Sequence, residues 1–233
     1  MAELPPLDIL FEDNHCVAVV KPARMPTTHY DGTEETLDRQ VKAYLKSKYA
    51  KPGDVFLGIV HRLDKPTSGV VLFARTSKGA ARIAEQFREG GVDKVYWAIV
   101  EGQMKASDGT LEDWLWKDDT AGHVSVVRPG AAGAKHALVH YHVRAENDGL
   151  SWLELRPQTG RTHQLRVQLS SRGHPIAGDF KYGSEVPFPS GIALHARSLT
   201  LLHPIRHEPM TLKAEVPSSW RGRFRNLMAG SLE

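Results

Sequence analysis

The sequence predicts an α+β protein built on a mixed, largely antiparallel β-sheet that is flanked by helices and loops. Segments that alternate like strands outnumber those with helical spacing, and the two kinds do not alternate regularly along the chain. Of the 233 residues, 41% are hydrophobic and 24% are charged, which is ordinary for a globular protein. We expect a single domain over residues 1–233, because no repeat, low-complexity segment or linker interrupts the sequence.

Individual strands and helices are predicted from periodicity and from the residues that flank each segment. A hairpin joins the first two strands, and its second strand ends at Lys21-Pro22, because proline cannot continue a β-ladder. The second helix is capped by Thr76 or Ser77 and ends at Gly90-Gly91. The predicted strands are 7–12, 16–20, 55–60, 70–74, 94–100, 136–143, 151–155, 192–201 and 210–216. The predicted helices are 36–49, 77–89 and 162–173.

Composition narrows the class of protein. The single cysteine, Cys16, excludes an intramolecular disulfide and a cysteine-rich metal centre. The first residues lack the basic and then apolar pattern of a signal peptide, and no apolar run is long enough to cross a membrane. A net charge of +3 permits an RNA partner without requiring one. We therefore expect a cytoplasmic enzyme or binding protein with no membrane partner.

An aspartate with basic neighbours lies between two apolar runs. Asp64 is flanked by Arg62 and Lys65, with His61 close by, and these cations favour an ionised carboxylate. The turn-forming residues 65–69 predict that the carboxylate is displayed on a loop. Local chemistry alone favours an ordinary turn in which Asp64 bonds to its own backbone and its basic neighbours are solvated.

A second candidate is the start of the third predicted helix. If Thr162 caps this helix, the free N–H groups of its first turn lie beside Arg161 and offer a seat for a phosphate. Arg166 follows about one turn later on the same side. The alternative is an ordinary amphipathic helix with a basic exposed face.

A third candidate is the strand 94–100, where Lys94 and Tyr96 share one face. A tyrosine there suits stacking on a base or proton transfer, although a core aromatic fits the pattern as well. The twelve histidines form no HExxH or similar metal motif, so we expect no metal. The phosphate-binding GxxxxGK[ST] and GxGxxG patterns are also missing from the sequence, and we expect no nucleotide cofactor.

Taken together, these segments resemble the RluA-type family of RNA pseudouridine synthases. The family signature HRLD, two variable residues and TSG is complete at residues 61–69, and Lys94 and Tyr96 match its lysine and tyrosine strand. Residues 159–167 match TGR[TS]HQ[LI]RV, and residues 173–183 match the following GHPI.GD..YG. The three matches occur in the family order and cover nearly the whole chain.

The resemblance implies a pseudouridine synthase catalytic fold with a central cleft and a reaction that needs no cofactor. It implies that Asp64 is the nucleophile, attacking either the anomeric carbon or carbon 6 of the base. Arg166 would be its ion-pair partner, and Tyr96 would stack on the target uracil. The enzyme must turn the uridine out of its stack, so Arg62, assisted by His61, would fill the vacated space.

The resemblance also implies the kind of substrate. We expect a stem–loop of ribosomal RNA, transfer RNA or both, bound by a monomer without an N-terminal RNA-binding module. Two residues depart from the family pattern, because Arg24 stands where glycine is common and Gln168 where histidine is frequent. The predicted phosphate contacts are Lys21, Lys65, Arg161 and Arg172.

Two other functions remain open at the level of sequence. One is a catalytically silent RNA-binding or folding protein that keeps the same fold. The other is a metal-dependent ribonuclease, which would need several carboxylates to converge on one site. Asp179 is the acidic residue that could approach Asp64, and sensitivity to EDTA would separate the nuclease from the isomerase.

Overall fold

A computed structural model describes residues 7–28, 34–221 and 224–228 of the chain. The chain divides into two compact units. The first unit comprises Met1–Val92 with Ser198–Glu215, and the second comprises Asp93–Arg197 with Val216–Glu233. The single domain expected over residues 1–233 stays a prediction.

The elements follow one another in an irregular order of strands and helices. The strands are β1 (Ile9–Glu12), β2 (Cys16–Lys21), β3 (Gly58–Ile59), β4 (Ser68–Ala74), β5 (Asp93–Glu101), β6 (Asp108–Asp118), β7 (His123–Val127), β8 (Lys135–Asn147), β9 (Leu150–Pro157), β10 (Leu194–Leu202) and β11 (Pro209–Lys213). The helices are α1 (Leu37–Lys48), α2 (Ser77–Glu89), α3 (Gln164–Ser170), α4 (Ser218–Arg221) and α5 (Arg225–Met228). A 3₁₀ turn covers Phe180–Tyr182.

The first unit contains the predicted hairpin. β1 pairs antiparallel with β2, and β2 pairs antiparallel with β4 from Cys16↔Ala74 to Lys21↔Gly69. The short strand β3 adds to β4, and the end of β10, from Ser198 onward, pairs with β11. This pairing brings the end of β2 beside the start of β4, where the loop carrying Asp64 ends.

Both helices of the first unit confirm their predictions. The Thr76 hydroxyl accepts from the Gly79 N–H at 3.1 Å and caps α2, and Gly90 ends α2 with φ of 76°. The side chains of Leu37, Val41 and Leu45 form the buried face of α1.

The second unit is an antiparallel sheet with strand order β5-β9-β8-β6-β7. Helix α3 is buried against it, since every residue from Gln164 to Leu169 is buried. Leu165 and Leu169 pack in the main core with Trp152, whereas Val167 packs in a smaller cluster of apolar residues. Even the polar side chains of α3 are therefore held inside the protein.

Strands β6 and β7 are absent from the sequence prediction. On one face of β6, Leu111 and Leu115 are buried. The opposite face carries Trp114 and Trp116, and Trp116 is exposed. Apolar residues on both faces obscure the alternation from which a half-buried strand is recognised. In addition, β11 ends at Lys213, before the predicted end at residue 216.

The antiparallel pairing, the small number of helices and their irregular order confirm the predicted α+β class. The central cleft stays a prediction. Within the described residues, no helix has the length and apolar character required to cross a membrane.

Candidate active site

Asp64 is half-buried in the loop between β3 and β4, where the sequence predicts it. The Thr67 N–H donates to the Asp64 carbonyl oxygen at 3.0 Å and closes a turn. Gly69 has φ of 120°, a conformation that other residues rarely adopt, which explains the glycine of the motif. The backbone that carries the carboxylate is therefore fixed by a turn on its C-terminal side.

Thr27 fixes the backbone on the N-terminal side of Asp64. Its hydroxyl donates to the Leu63 carbonyl oxygen at 2.8 Å and accepts from the Leu63 N–H at 3.1 Å. Both residues are buried, so these two hydrogen bonds are shielded from water. Sequence reasoning missed Thr27, because 36 residues separate it from Leu63 and nothing local marks it.

Lys21, at the end of β2, is fully buried against the same loop. Its Nζ donates to the carbonyl oxygens of Pro22 at 2.9 Å, Met25 at 2.7 Å and Lys65 at 3.1 Å. Burial lowers the pKa of the Lys21 amine to about 7, and attraction by the Asp64 carboxylate opposes this shift. These internal contacts do not fit the predicted phosphate contact, so we revise Lys21 to a residue that supports the loop.

His61 and Arg62, the residues predicted to assist base flipping, differ in their surroundings. His61 Nε2 accepts from the Leu72 N–H at 2.9 Å, and its ring stacks on Phe87 with a centroid distance of 4.9 Å. His61 is thus held by β4 and α2. Arg62 is exposed, whereas the next residue, Leu63, is buried. The exposure of Arg62 is compatible with insertion into RNA, and the assisting role of His61 stays a prediction.

Arg166 lies in α3 with a side chain that is only 5% exposed. Its Nε donates to Asp179 Oδ2 at 2.7 Å, and its Nη2 donates to Asp179 Oδ1 at 2.8 Å. Asp179 is also buried, so the two residues form a bidentate ion pair inside the second unit. The ion pair expected between Arg166 and Asp64 stays a prediction.

Tyr182 supports the same guanidinium. Its ring centroid lies 5.0 Å from Arg166 Cζ, which is a cation–π contact. Its hydroxyl accepts from the Val124 N–H at 3.1 Å and hydrogen-bonds His163 Nδ1 at 2.7 Å. The ring of His123 lies 4.8 Å from the Tyr182 ring. Sequence reasoning used Asp179 and Tyr182 only as parts of a family motif, whose spacing does not indicate which side chain each one contacts.

The helix cap predicted at Thr162 is wrong. The residue before α3 is His163, which has φ of 51° and makes no side-chain cap hydrogen bond, so the helix begins two residues later than Thr162. The Gln164 side chain instead accepts from the Arg161 N–H at 3.0 Å and from the Thr159 hydroxyl at 2.7 Å. A left-handed residue other than glycine is uncommon and could not be anticipated from the sequence.

Tyr96 is half-buried on β5 and pairs with Leu155 of β9. Its neighbour Lys94 donates from Nζ to the Thr159 carbonyl oxygen at 3.3 Å. Burial, together with repulsion from Arg161, lowers the pKa of the Lys94 amine. Lys94 therefore connects β5 to the segment that precedes α3.

The remaining predicted phosphate contacts are exposed cations with partners in the protein. All three side chains belong to exposed residues, so reaching an RNA phosphate requires only a local rearrangement. The contacts are Lys65 Nζ to Glu34 Oε1 at 2.5 Å, Arg161 Nε to the His136 carbonyl oxygen at 2.9 Å, and Arg172 Nη1 to Asp113 Oδ2 at 2.8 Å.

The structure places the predicted site residues in two groups, one in each unit. The first unit contains Lys21, His61, Arg62, Asp64 and Lys65. The second unit contains Tyr96, Arg161, Arg166 and Arg172.

One set of possible metal donors comes together among the described residues. The donor atoms of Asp13, Cys16 and His203 lie within 4.8 Å of one another. However, Asp13 Oδ1 already accepts from the Cys16 N–H at 2.9 Å, and Oδ2 is 2.8 Å from His203 Nε2. Burial raises the pKa of the Cys16 thiol to about 12. The set is a hydrogen-bonded turn with a protonated thiol, which does not fit a metal centre.

The family model and the relatives that this chain matches all point to one family. Residues 15–171 match the family model described as RNA pseudouridylate synthase. The uncharacterized RNA pseudouridine synthase YhcT of Bacillus subtilis is 35% identical over 223 residues, covering 94% of this chain and 72% of the relative. Ribosomal large subunit pseudouridine synthase D of Zymomonas mobilis is 34% identical over 234 residues, covering 96% and 73%. tRNA pseudouridine synthase C of Pectobacterium carotovorum is 34% identical over 241 residues, covering 95% and 62%.

Solved structures agree with this result. Human RNA Pseudouridylate Synthase Domain Containing 4 superimposes with a TM-score of 0.77 at 27% identity, covering 94% of this chain and 92% of that chain. Human RNA Pseudouridylate Synthase Domain Containing 1 superimposes with a TM-score of 0.71 at 28% identity, covering 91% and 84%.

Proposed function

Because the chain belongs to the RNA pseudouridylate synthase family, we propose that Asp64 is the nucleophile with which it isomerises uridine in RNA. Enzymes of this family are isomerases. In the reaction the N1–C1′ bond breaks and a C5–C1′ bond forms, while C5 loses a proton and N1 gains one. Atoms and electrons balance within the nucleotide, so we propose that no cofactor takes part.

The fixed position of Asp64 is the observation that carries this proposal. Hydrogen bonds from Thr27 and Thr67 hold the backbone on either side of the carboxylate. The buried Lys21 donates a hydrogen bond to the carbonyl oxygen of Lys65, the residue after Asp64, and it attracts the Asp64 carboxylate electrostatically. Because the nucleophile is already held in one geometry, the reaction loses less entropy on reaching the transition state, and the barrier is lower.

Tyr96 and Arg166 complete the proposed catalytic set. Tyr96 would stack on the target uracil, and it lies half-buried on β5. Arg166 would be the cation that pairs with Asp64 in the catalytic state. Its guanidinium is held by Asp179 and Tyr182, which supports a role in which the orientation of the guanidinium matters.

RNA binding would combine base flipping with phosphate contacts. A uridine inside a helix must leave its stack before it can be modified. Arg62, which is exposed, would occupy the space that the uridine vacates. Lys65, Arg161 and Arg172 are exposed cations and would contact phosphates, which fix the register of the RNA.

The proposed substrate is a stem–loop of ribosomal or transfer RNA. Similar proteins are named for each class, namely a ribosomal large subunit pseudouridine synthase and a tRNA pseudouridine synthase. We propose that the enzyme acts as a monomer in the cytoplasm. The metal-dependent ribonuclease is disfavoured by a specific contact, because the Asp179 carboxylate, which that mechanism would need, is engaged by Arg166.

Tritium release tests the proposed function. RNA labelled at carbon 5 of uridine loses tritium when pseudouridine forms, and separate transfer and ribosomal transcripts identify the RNA class. We expect release by the wild type from at least one pool, in the presence of EDTA, and none by Asp64→Asn. RNA cleavage that EDTA abolishes would support the nuclease, and RNA binding without release would support the silent protein.

A further inference from the structure

The ion pair between Arg166 and Asp179 fixes the plane of a guanidinium as well as its charge. Asp179 uses both carboxylate oxygens, and Arg166 uses the edge formed by Nε and Nη2. A bidentate contact of this kind permits little rotation of the guanidinium. Because the contact occupies one edge, it also determines where the third nitrogen, Nη1, points.

The loop that carries Asp179 is itself held rigidly. The Gly178 N–H donates to the Ser184 hydroxyl at 3.0 Å, and that hydroxyl donates to Glu101 Oε1 at 2.6 Å. The same Glu101 oxygen accepts from the Val186 N–H at 3.0 Å. Gly178 has φ of 84°, and a Cβ there would lie 2.6 Å from Phe188 Cβ, so glycine is required. Glu101 is the last residue of β5, the strand that carries Tyr96.

Asp179 and Tyr182, which both contact Arg166, are joined by the 3₁₀ turn. The Tyr182 N–H donates to the Asp179 carbonyl oxygen at 2.9 Å, so the carboxylate and the aromatic ring keep a fixed separation. Tyr182 is 6% exposed, and its hydroxyl is hydrogen-bonded to Val124 and His163. Arg166 is thus constrained by a carboxylate at its edge and by a ring at its face.

We propose that Asp179 is a positioning residue for pseudouridine formation, which holds the Arg166 guanidinium in its productive direction. Tyr182 completes the support from the ring face. The proposal rests on the proposed role of Arg166 in catalysis. Asp179 itself acts through Arg166 and does not need to touch the substrate.

The test is a double-mutant cycle in tritium release. Asp179→Asn keeps the shape of the side chain but loses its charge, and we expect kcat to fall by about 30-fold with KM changed by less than about threefold. Arg166→Lys keeps the charge but cannot form the bidentate contact. In the Arg166→Lys background, Asp179→Asn should lower kcat by no more than about twofold, because residues that act as a unit are not additive.

A residue that only stabilises the fold would give a different result. After correction for the folded fraction by circular dichroism, its loss of kcat would disappear or would be the same fold-change in both backgrounds, and either outcome would overturn the proposal. Glu154→Gln is the matched control, because Glu154 pairs with Arg144 and Arg156 in the same unit. We expect its kcat to stay within about twofold of the wild type, since neither arginine is assigned to catalysis.

Two further variants keep the test decisive. If Asp179→Asn does not fold, Tyr182→Phe removes only the hydroxyl that fixes the ring, and its smaller loss of kcat should vanish in the Arg166→Lys background. Asp64→Asn distinguishes a failure of the positioning role of Asp179 from a failure of the proposed function. An inactive Asp64→Asn beside an Asp179→Asn of wild-type kcat overturns the positioning role alone, whereas an active Asp64→Asn overturns the proposed function together with it.

Discussion

The buried Nζ of Lys21 donates to the carbonyl oxygen of Lys65 at 3.1 Å, across 44 residues of sequence. Lys65 directly follows Asp64, so this bond ties the end of β2 to the proposed catalytic loop. The same Nζ also donates to the carbonyl oxygens of Pro22 at 2.9 Å and Met25 at 2.7 Å. The lysine therefore supports the loop from inside the protein.

The first prediction concerns pH and Lys21. Burial lowers the pKa of this amine from 10.5 to about 7 in the folded protein, whereas the unfolded chain keeps the ordinary value. Between these values the unfolded state binds a proton that the folded state does not, so the free energy of unfolding rises with pH by up to about 1.4 kcal/mol per unit. Lys21→Met lacks this contribution. Urea unfolding of both proteins between about pH 7.5 and about pH 9.5 measures the difference, and parallel pH dependences would contradict the prediction.

The second prediction concerns the clamp on Leu63. Thr27→Val removes the hydroxyl that bonds both backbone groups of Leu63 and leaves them buried without it. We expect the free energy of unfolding to fall by about 1–3 kcal/mol. Thr200→Val is the control, because the Thr200 hydroxyl makes an exposed bond to Thr211, and its loss should cost less than about 1 kcal/mol. Equal losses in urea unfolding would show that the Thr27 clamp has no special importance.

The third prediction concerns Arg24, which has a left-handed backbone conformation. Its φ of 68° is unfavourable for any side chain with a Cβ. Arg24→Gly should raise the free energy of unfolding by about 1 kcal/mol, because glycine removes this strain. Arg24→Ala removes the guanidinium but keeps the strain, so it should not stabilise the protein. Stabilisation by alanine equal to that by glycine would assign the effect to the charge.

The fourth prediction concerns base flipping by Arg62. Arg62→Ala should lower kcat/KM on folded RNA by about tenfold more than on a single-stranded oligonucleotide with the same site, because the latter has no stack to leave. Arg88→Ala, at an exposed position in the last turn of α2, should leave both values unchanged. The same loss on both RNAs would remove the flipping role.

The elements that the sequence predicts best are those with local signals. Helix α2 has the predicted bounds, because Thr76 caps it and Gly90 ends it in a left-handed conformation. The loop position of Asp64 also follows from local features, since two apolar runs flank a segment of turn formers. Local signals of this kind depend on a few neighbouring residues, so they can be recognised in a single sequence.

The supports of the site depend on contacts between distant segments. The burial of Lys21 is invisible in the sequence, because lysine is ordinarily exposed and its acceptors are main-chain atoms. The contact of Arg166 with Asp179 joins α3 to a loop, and the left-handed His163 shifts the start of α3. None of these features leaves a periodic or spacing signal, so the sequence could suggest the reactive residues but not what holds them.

We propose that Asp64 acts in the chemical step and not in RNA binding. Single-turnover formation of pseudouridine, measured together with the Kd for the same RNA, tests it for Asp64→Asn against the wild type. We predict that the variant makes no pseudouridine while its Kd stays within a few-fold of the wild-type value. Turnover by Asp64→Asn near the wild-type rate would contradict the account.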